Sequence, residues 1–285
     1  SYVEQLNAGK VKGNVEPLLL SSKGSVIRID ANHGFAFPAI SLAISEITDT
    51  CKKYGIAAAS ISRSHHFGQA GRHVERLAEY GLIGLMFGNT PKAIPPWGGS
   101  KPLFGTNPIA FASPRDSAAP LVIDMSLSKV ARGKVMVANQ LNEKIPEGWA
   151  IDKEGKPTTD AKEALEGAML PIGDAKGSAL ALMVEILAAG LTGSNFGFEA
   201  SSFLDAEGDS PGVGQLIIAI DPSFFSGESF GDKTETIVGA ILEQSGTRIP
   251  GDKRIEKRKV REKSEKITIS KELYEKIELL TKFFS

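Results

Sequence analysis

Residues 56–81, IAAASISRSHHFGQAGRHVERLAEYG, decide the fold class of this chain. The small and β-branched apolar residues at its start predict a buried strand over 56–62. A helix is predicted over 68–80, because apolar residues recur there at helical spacing and Gly81 lies just past the end. Three of the four histidines lie at the junction between strand and helix or just after it, namely His65, His66 and His73. A strand that leads directly into a helix is the repeating unit of an α/β protein.

The same alternation continues on both sides of this unit. Further strands are predicted over 25–30, 82–88, 109–112, 121–125 and 215–220, and further helices over 38–54, over 178–191 and after a capping Ser270. Helix 178–191 has little polar face, so we expect it to be buried. Residues 142–169 and 193–213 are rich in Gly, Pro, Asp, Glu and Ser, which predicts long surface connections. The chain is predicted to form one large α/β domain or two smaller ones.

Composition narrows the class of protein. The chain has 285 residues, with 33 Lys and Arg against 34 Asp and Glu, so its neutral total argues against charge-driven binding to nucleic acid or to a membrane surface. The single cysteine, Cys51, cannot form an internal disulfide or a thiolate cluster, which favours the cytoplasm. No apolar run reaches the roughly 20 residues that cross a bilayer. Residues 248–266 hold nine basic and four acidic residues, a pattern typical of a solvated helix or of a phosphate-binding segment.

Familiar nucleotide-binding motifs are missing. No G-x-G-x-x-G lies between a predicted strand and a predicted helix, which argues against an ordinary Rossmann fold. The segment GDAKGS at 173–178 lacks the spacing of a P-loop. Its Lys176 still lies beside a helix start, where free backbone N–H groups stabilise an anion. A glycine-rich turn with a surface lysine is the alternative.

Two groups of residues predict the chemistry. His66 follows a strand, where α/β sheets bind ligands, and we interpret it as a proton donor or acceptor, since no second ligand for zinc lies at helical spacing. For His65 and His73 a structural role is the alternative. Arg132 and Lys134 begin a predicted helix, where cations oppose the helix dipole, and a guanidinium suits a carboxylate. The residues alone predict a cationic, histidine-bearing pocket for a small anion.

At these residues the sequence resembles the malate/L-lactate dehydrogenase family of NAD(P)-dependent oxidoreductases, which is distinct from the Rossmann dehydrogenases. The matching segments are residues 64–68 with Gly71, 102–110, 124–126, 131–134, 145–149, 155–160 and 176–177. The resemblance runs from about Ser1 to Lys257. It implies hydride transfer between NAD(H) or NADP(H) and C2 of a small carboxylic acid, in a homodimer. It further implies a family-specific, non-Rossmann NAD(P)-binding α/β domain over 25–248 and a smaller helical domain, for dimerisation or cofactor closing, from 1–24 and 249–285.

The resemblance also assigns roles to individual residues. It implies that His66 and Lys134 are catalytic and that Thr90, Thr106, Arg132 and Gly133 bind substrate, with Arg132 as the carboxylate clamp. The implied cofactor-binding residues are Phe67, Gly68, Gln69, Ala70, Gly71, Asp124, Met125, Ser126, Ala175, Lys176, Gly251, Asp252 and Lys253. No metal ligand is implied.

Members of this family differ in the substrates on which they act. Residues 102–114, 176–180 and 214–216 resemble the branch that reduces cyclic imines such as Δ1-pyrroline- or Δ1-piperideine-2-carboxylate. Lys134 agrees instead with members that act on malate, lactate or sulfolactate, because a lysine attracts a second anionic group. We therefore expect reduction of a 2-oxo acid and keep imine reduction as the alternative.

The start of the chain leaves a further alternative. Family members carry a Ser-His-Gly-Val segment shortly before the position that matches Ser1, and its histidine is the implied proton donor. This sequence begins at Ser1 without that motif. A cofactor-binding, catalytically silent, truncated form is therefore a third hypothesis. Nucleic-acid binding through 248–266 is disfavoured by the four interspersed acidic residues and the neutral total charge.

Overall fold

A seven-stranded mixed sheet forms the centre of the molecule. The computed structural model describes residues 2–116 and 118–281. The strands of the large sheet and of a second, three-stranded sheet are β1 (Leu18–Lys23), β2 (Val26–Asp30), β3 (Ile56–Ser64), β4 (Ile83–Gly88), β5 (Ile109–Ser113), β6 (Leu121–Met125), β7 (Ala150–Ile151), β8 (Pro157–Thr158), β9 (Ala168–Met169) and β10 (Val213–Ile220). The large sheet has the order β1-β2-β3-β10-β4-β5-β6, in which β2 and β3 pair parallel and the other neighbours pair antiparallel. The six predicted strands are confirmed, and β1 is additional.

Helices cover both faces of this sheet. The helices of the described residues are α1 (Tyr2–Asn7), α2 (Ala36–Tyr54), α3 (Ala70–Glu79), α4 (Arg132–Gln140), α5 (Ala161–Glu166), α6 (Ala175–Glu185), α7 (Ser229–Leu242), α8 (Asp252–Ser264) and α9 (Lys271–Thr281), with a π-helical turn at Ile186–Gly190 and a 3-10 turn at Pro222–Phe224. The main core lies between the sheet and the helices α2 and α3. A second core joins α6 and the π-helical turn to the other face. The α/β prediction is confirmed. Among the described residues, no helix combines the length and the apolar character needed to span a membrane.

Two sequence-based expectations about the second half of the chain are wrong. Residues 142–169 were expected to form a surface connection, but they contain α5 and the small sheet β8-β7-β9. Two-residue strands are too short to produce a periodic pattern. The helix predicted over 178–191 was expected to be buried, yet Leu180, Leu182, Met183, Ile186 and Leu191 are 37–63% exposed. The helix buries its small residues instead, including Ala181 and Ala188.

The two ends of the chain meet. Lys276 in α9 lies 3.4 Å from Glu4 in α1, and the apolar stripe Leu273, Ile277 and Leu280 faces α1 across a cavity of about 430 Å³. The Ser270 hydroxyl accepts a hydrogen bond from the backbone N–H of Leu273 at 3.2 Å, as a helix cap does. Residues 18–23 belong to the sheet as β1, so the helical unit predicted over 1–24 is corrected there. Ser1 and residues 282–285 of that predicted unit lie outside the described residues, and the division into two domains stays a prediction.

Candidate active site

Sheet topology brings the predicted site residues to one end of the sheet. Strands β3 and β4 both pair antiparallel with β10, so they run in the same direction. Strand β5 runs opposite to β4, and β6 runs opposite to β5. The carboxyl ends of β3, β4 and β6 therefore share one end of the sheet with the start of β5. The residues placed there are His66, Thr90, Asp124 and Thr106, respectively.

Two cavities open at this end of the sheet. The first has a volume of about 520 Å³ and is lined by Tyr2, His66, Thr90, Pro91, Lys92, Ala93, Thr106, Arg132, Ala200, Ser202, Phe203 and Leu204. The second has a volume of about 350 Å³ and is lined by His66, Phe67, Gly68, Gln69, Ala70, Thr90, Thr106, Pro108, Asp124 and Ser126. The cavities share His66, Thr90 and Thr106. A ligand in each cavity would therefore meet the other beside His66.

The tautomer of His66 follows from its neighbours. The backbone N–H of Gly68 lies 3.3 Å from His66 Nδ1, and the Tyr2 hydroxyl contacts the same nitrogen. Because a backbone N–H can only donate, Nδ1 accepts and Nε2 carries the proton of the neutral ring. Burial lowers the pKa of His66 below its usual 6.5, since the charged form loses hydration. His66 is therefore neutral at physiological pH, with Nε2–H available as a donor.

Arg132 is a partly buried cation at the edge of the first cavity. It is the first residue of α4, and its Nη2 donates to the Leu165 carbonyl oxygen at 3.4 Å. Its Nε is buried and has no hydrogen-bond partner among the described residues. Burial lowers the pKa of the guanidinium, although a group of this basicity stays charged. A buried N–H without a partner is costly. Because Arg132 also lines the first cavity, its positive charge suits an anionic ligand there.

A carboxylate outside the cavities fixes the turn that carries Thr106. Glu185 is 3% exposed, and its Oε1 accepts from the Gly105 N–H at 3.1 Å and from Asn107 Nδ2 at 2.9 Å. Its Oε2 accepts from the Gly197 N–H at 3.1 Å and from Asn89 Nδ2 at 3.4 Å. This network holds Asn107 at a left-handed φ of 40°. Glu185 was missed from the sequence, where its signal is a lone acid inside an apolar helix.

The two threonines are coupled to this turn. Thr106 donates its backbone N–H to Thr90 Oγ1 at 2.9 Å, and the two hydroxyl oxygens lie 3.3 Å apart. The Thr90 N–H in turn donates to Asn107 Oδ1 at 3.3 Å. Both threonines line both cavities. Their positions therefore depend on the carboxylate of Glu185 through Asn107.

The second cavity is built on the start of α3. The Gly71 N–H donates to Asp124 Oδ2 at 2.9 Å, and Arg254 of α8 lies 3.9 Å from the same oxygen. A Cβ added at Gly71 would lie 2.9 Å from that oxygen, so the close approach requires glycine. Phe67, Gly68, Gln69, Ala70 and Ser126 line the cavity as predicted cofactor residues. Gly251, at φ 96°, packs on β6 beside Val122.

Several predicted site residues are placed elsewhere. In the described part of the chain, neither cavity is lined by Gly133, Lys134, Met125, Ala175, Lys176, Asp252 or Lys253, and all seven are exposed. Lys134 follows Arg132 by two residues, which is about 200° around a helix, so the two side chains leave opposite sides of α4. Met125 lies between Asp124 and Ser126 at the end of β6, and successive side chains of a strand point to opposite faces of the sheet. The structure therefore does not bring Lys134 to the site.

The chain start holds one wall of the first cavity. Gln5 Nε2 donates to the Phe203 carbonyl oxygen at 2.7 Å, and His65 Nε2 donates to Gln5 Oε1 at 2.8 Å. Lys10, which is 1% exposed, forms an ion pair with Asp205 at 2.9 Å. Burial lowers the pKa of His65 to about 4, with the neighbouring His66 and Lys10 adding to the shift. The burial of His65 and its hydrogen bond to Gln5 agree with the structural role given above as the alternative.

Comparison with known proteins shows the family of this chain. The family model for malate/L-lactate dehydrogenase matches residues 1–278. The chain is 54% identical to the (2R)-3-sulfolactate dehydrogenase (NADP(+)) of Chromohalobacter salexigens over 89% of this chain and 75% of that protein. It is 41% identical to the Δ1-pyrroline-2-carboxylate/Δ1-piperideine-2-carboxylate reductase of Pseudomonas putida over 98% and 82%, respectively.

Solved structures show the same relationship. The Δ1-piperideine-2-carboxylate reductase of Pseudomonas syringae superposes with a TM-score of 0.92 at 39% identity, covering 98% of this chain and 84% of that one. The sulfolactate dehydrogenase of Methanocaldococcus jannaschii gives a TM-score of 0.86 at 33% identity, covering 96% and 80%. The chain therefore belongs to the malate/L-lactate dehydrogenase family of NAD(P)-dependent oxidoreductases.

Proposed function

We propose that this protein transfers hydride between NADP(H) and C2 of a small 2-hydroxy or 2-oxo carboxylic acid of the malate, lactate or sulfolactate type. The observation that carries this proposal is that Arg132 lines a cavity together with His66, while its buried Nε has no hydrogen-bond partner among the described residues. A buried guanidinium with a free N–H selects a carboxylate. The choice of NADP(H) rests on the 54% identical relative, whose name includes NADP(+).

The residues of the first cavity have separate roles in binding and reducing the substrate. Arg132 binds the substrate carboxylate. The hydroxyl groups of Thr90 and Thr106 lie beside His66 and orient the carbon skeleton. His66, neutral and protonated on Nε2, donates a hydrogen bond to the oxygen on C2. That donor stabilises the negative charge that develops on the oxygen as the carbonyl group is reduced, and a proton from solvent then completes the hydroxyl group.

The second cavity fits the nicotinamide end of the cofactor. It adjoins the first cavity at His66. The residue before α3, Gln69, makes no side-chain capping hydrogen bond, so first-turn N–H groups other than that of Gly71 are left for a polar ligand. Asp124 can accept hydrogen bonds from ribose hydroxyls. When bound, the cofactor supplies or accepts the hydride. By family resemblance Ala175, Lys176, Met125, Gly251, Asp252 and Lys253 are proposed to contact parts of the cofactor outside this cavity.

Oxidation of NADPH by the purified protein tests the proposal. Pyruvate, oxaloacetate, sulfopyruvate and Δ1-pyrroline-2-carboxylate are offered in turn, and loss of nicotinamide absorbance is measured. We expect turnover of oxo acids, and replacement of Arg132 by Met should raise their KM. If none of the oxo acids is reduced, the proposal is wrong. In that case NADPH binding without oxidation, seen by fluorescence, supports the catalytically silent form.

Reduction of cyclic imines is the second candidate function. It is favoured by relatives named as Δ1-pyrroline-2-carboxylate reductases, of which one is 41% identical over 98% of this chain. Against it, the described residues that line the first cavity include Arg132 and Lys92 and no Asp or Glu. Such a cavity offers no carboxylate to pair with a protonated imine nitrogen. Turnover restricted to the imine in the substrate panel would favour this alternative.

We also propose that the protein is a homodimer and lies in the cytoplasm. The outward apolar side chains of α6 and the π-helical turn, such as Leu182, Ile186 and Leu191, are 48–63% exposed and supply an apolar surface of the kind that subunit interfaces cover. Cys51, the one cysteine, is buried and free, which suits a reducing compartment. Light scattering during size-exclusion chromatography measures the oligomeric state, and a monomer would contradict the proposed dimer.

A further inference from the structure

Lys92 is a second cation in the first cavity, and none of the family motifs quoted above contains it. We propose that Lys92 binds a second anionic group of the substrate, so that the site prefers dianionic 2-oxo and 2-hydroxy acids to monoanionic ones. This inference rests on the proposed function and adds the substrate class. Lys92 takes the place of Lys134, which the sequence favoured for attracting a second anionic group. The structure places Lys134 outside the site.

The backbone around Lys92 is fixed. Lys92 lies four residues past the end of β4, and its N–H donates to the Gly197 carbonyl oxygen at 2.8 Å. The next residue, Ala93, is buried and donates its N–H to the Phe104 carbonyl oxygen at 2.7 Å. Both hydrogen bonds cross to other segments that flank the site. The lysine is therefore held beside the cavity, while its side chain keeps the freedom to meet a ligand.

The ammonium group of Lys92 is available. The side chain is exposed to solvent and lines the cavity. Among the described residues it takes part in no ion pair. The nearby buried carboxylate of Glu185 already accepts four hydrogen bonds, so it is committed to the turn at 105–107 and to Gly197. In the part of the chain that the structure describes, no carboxylate therefore competes with a charged ligand for the Lys92 ammonium group.

The charge of the cavity then sets the preferred substrate. Within residues 2–116 and 118–281, its lining contains two positively charged side chains, Arg132 and Lys92, and no acidic side chain. A monoanion neutralises one charge and leaves the other uncompensated, whereas a dianion neutralises both. The two cations also differ: the planar guanidinium matches a carboxylate, and the compact ammonium acts as a point charge for a second acid group such as a sulfonate or a carboxylate.

The test compares sulfopyruvate, a dianion, with pyruvate, a monoanion, using NADPH as the cofactor. We expect Lys92→Met to lower kcat/KM for sulfopyruvate by about 10- to 100-fold, mainly through KM, because it removes a charge-assisted contact. For pyruvate the same variant should change kcat/KM less than about twofold, since pyruvate carries no second anionic group. Lys92→Arg keeps the charge and should retain most of the preference. The matched control is Lys233→Met, which removes an exposed lysine of α7 and should alter neither substrate.

Equal losses of Lys92→Met on the two substrates, or no loss on either, would overturn the inference. A separate measurement distinguishes this failure from failure of the proposed function. Thermal stabilisation by 3-sulfolactate and by lactate is recorded with NADP+ present. Greater stabilisation by 3-sulfolactate that disappears in Lys92→Met supports the role of Lys92 even if no oxo acid is reduced. Equal stabilisation by both ligands in the unmodified protein refutes it.

Discussion

Replacement of Glu185 by Gln perturbs the turn that carries Thr106 without changing the size of the side chain. The carboxylate receives four N–H groups, two on each oxygen: Gly105 and Asn107 on Oε1, Gly197 and Asn89 on Oε2. An amide keeps only one oxygen. Whichever way it is oriented, its NH2 group faces two donors that then have no acceptor.

The magnitude follows from these two donors. A buried N–H without a partner costs about 1–3 kcal/mol, so Glu185→Gln should lower the free energy of unfolding by about 2–6 kcal/mol. Rotation of the Asn107 or Asn89 amide would bring the loss toward the lower limit. The same change releases the turn at 105–107, so Thr106 and Thr90 lose their fixed positions and KM for the oxo acid should rise.

Urea unfolding at equilibrium and steady-state kinetics measure the two effects. Glu143→Gln, at an exposed carboxylate, is the matched control and should change the free energy of unfolding by less than about 0.5 kcal/mol. A loss below about 1 kcal/mol in Glu185→Gln, with KM unchanged, would refute the argument that this carboxylate holds the turn.

Three further variants test other parts of the site. Arg132→Met should raise KM for a 2-oxo acid by about 10- to 100-fold with a smaller change in kcat, and an unchanged KM in steady-state assays would remove Arg132 from carboxylate binding. Gly71→Ala places a methyl group against Asp124, so stability should fall by about 1–3 kcal/mol and NADPH should bind more weakly in a fluorescence titration. His65 has a pKa of about 4 when folded and 6.5 in the unfolded chain, so the unfolded state takes up the proton first as the pH falls. The free energy of unfolding should therefore fall by about 3 kcal/mol between pH 6.5 and pH 4 on account of His65. In urea unfolding, His65→Leu should show a smaller dependence of this free energy on pH over the same range. An equally steep dependence in the variant would contradict the pKa shift.

Local sequence patterns predict the elements of this fold better than their arrangement. The strand and helix over 56–81 are found nearly where the apolar spacing places them. Strand β1 escapes detection because its leucines lie at an exposed edge and do not alternate with polar residues. The insertion of β10 between β3 and β4 joins segments more than a hundred residues apart, and no local pattern contains that pairing.

In the candidate site, the sequence likewise predicts the residue types better than the directions of their side chains. The sequence identifies His66, Thr106 and Arg132, because each belongs to a motif next to a strand or helix start. It also detects a cation on α4, but Lys134 and Arg132 leave opposite sides of the helix, which a motif cannot show. Lys92 supplies the second charge of the cavity from a segment without any motif. Side-chain direction, which depends on packing, is what the sequence leaves open.

Transfer of a label tests the central claim most directly. NADPH carrying deuterium at the transferable position of the nicotinamide is supplied with sulfopyruvate, and the product is examined by mass spectrometry. We predict one deuterium on C2 of the 3-sulfolactate that forms, with one NADPH consumed for each product molecule. NADPH that binds but is not consumed, or a reduced product without deuterium on C2, would contradict the proposed function.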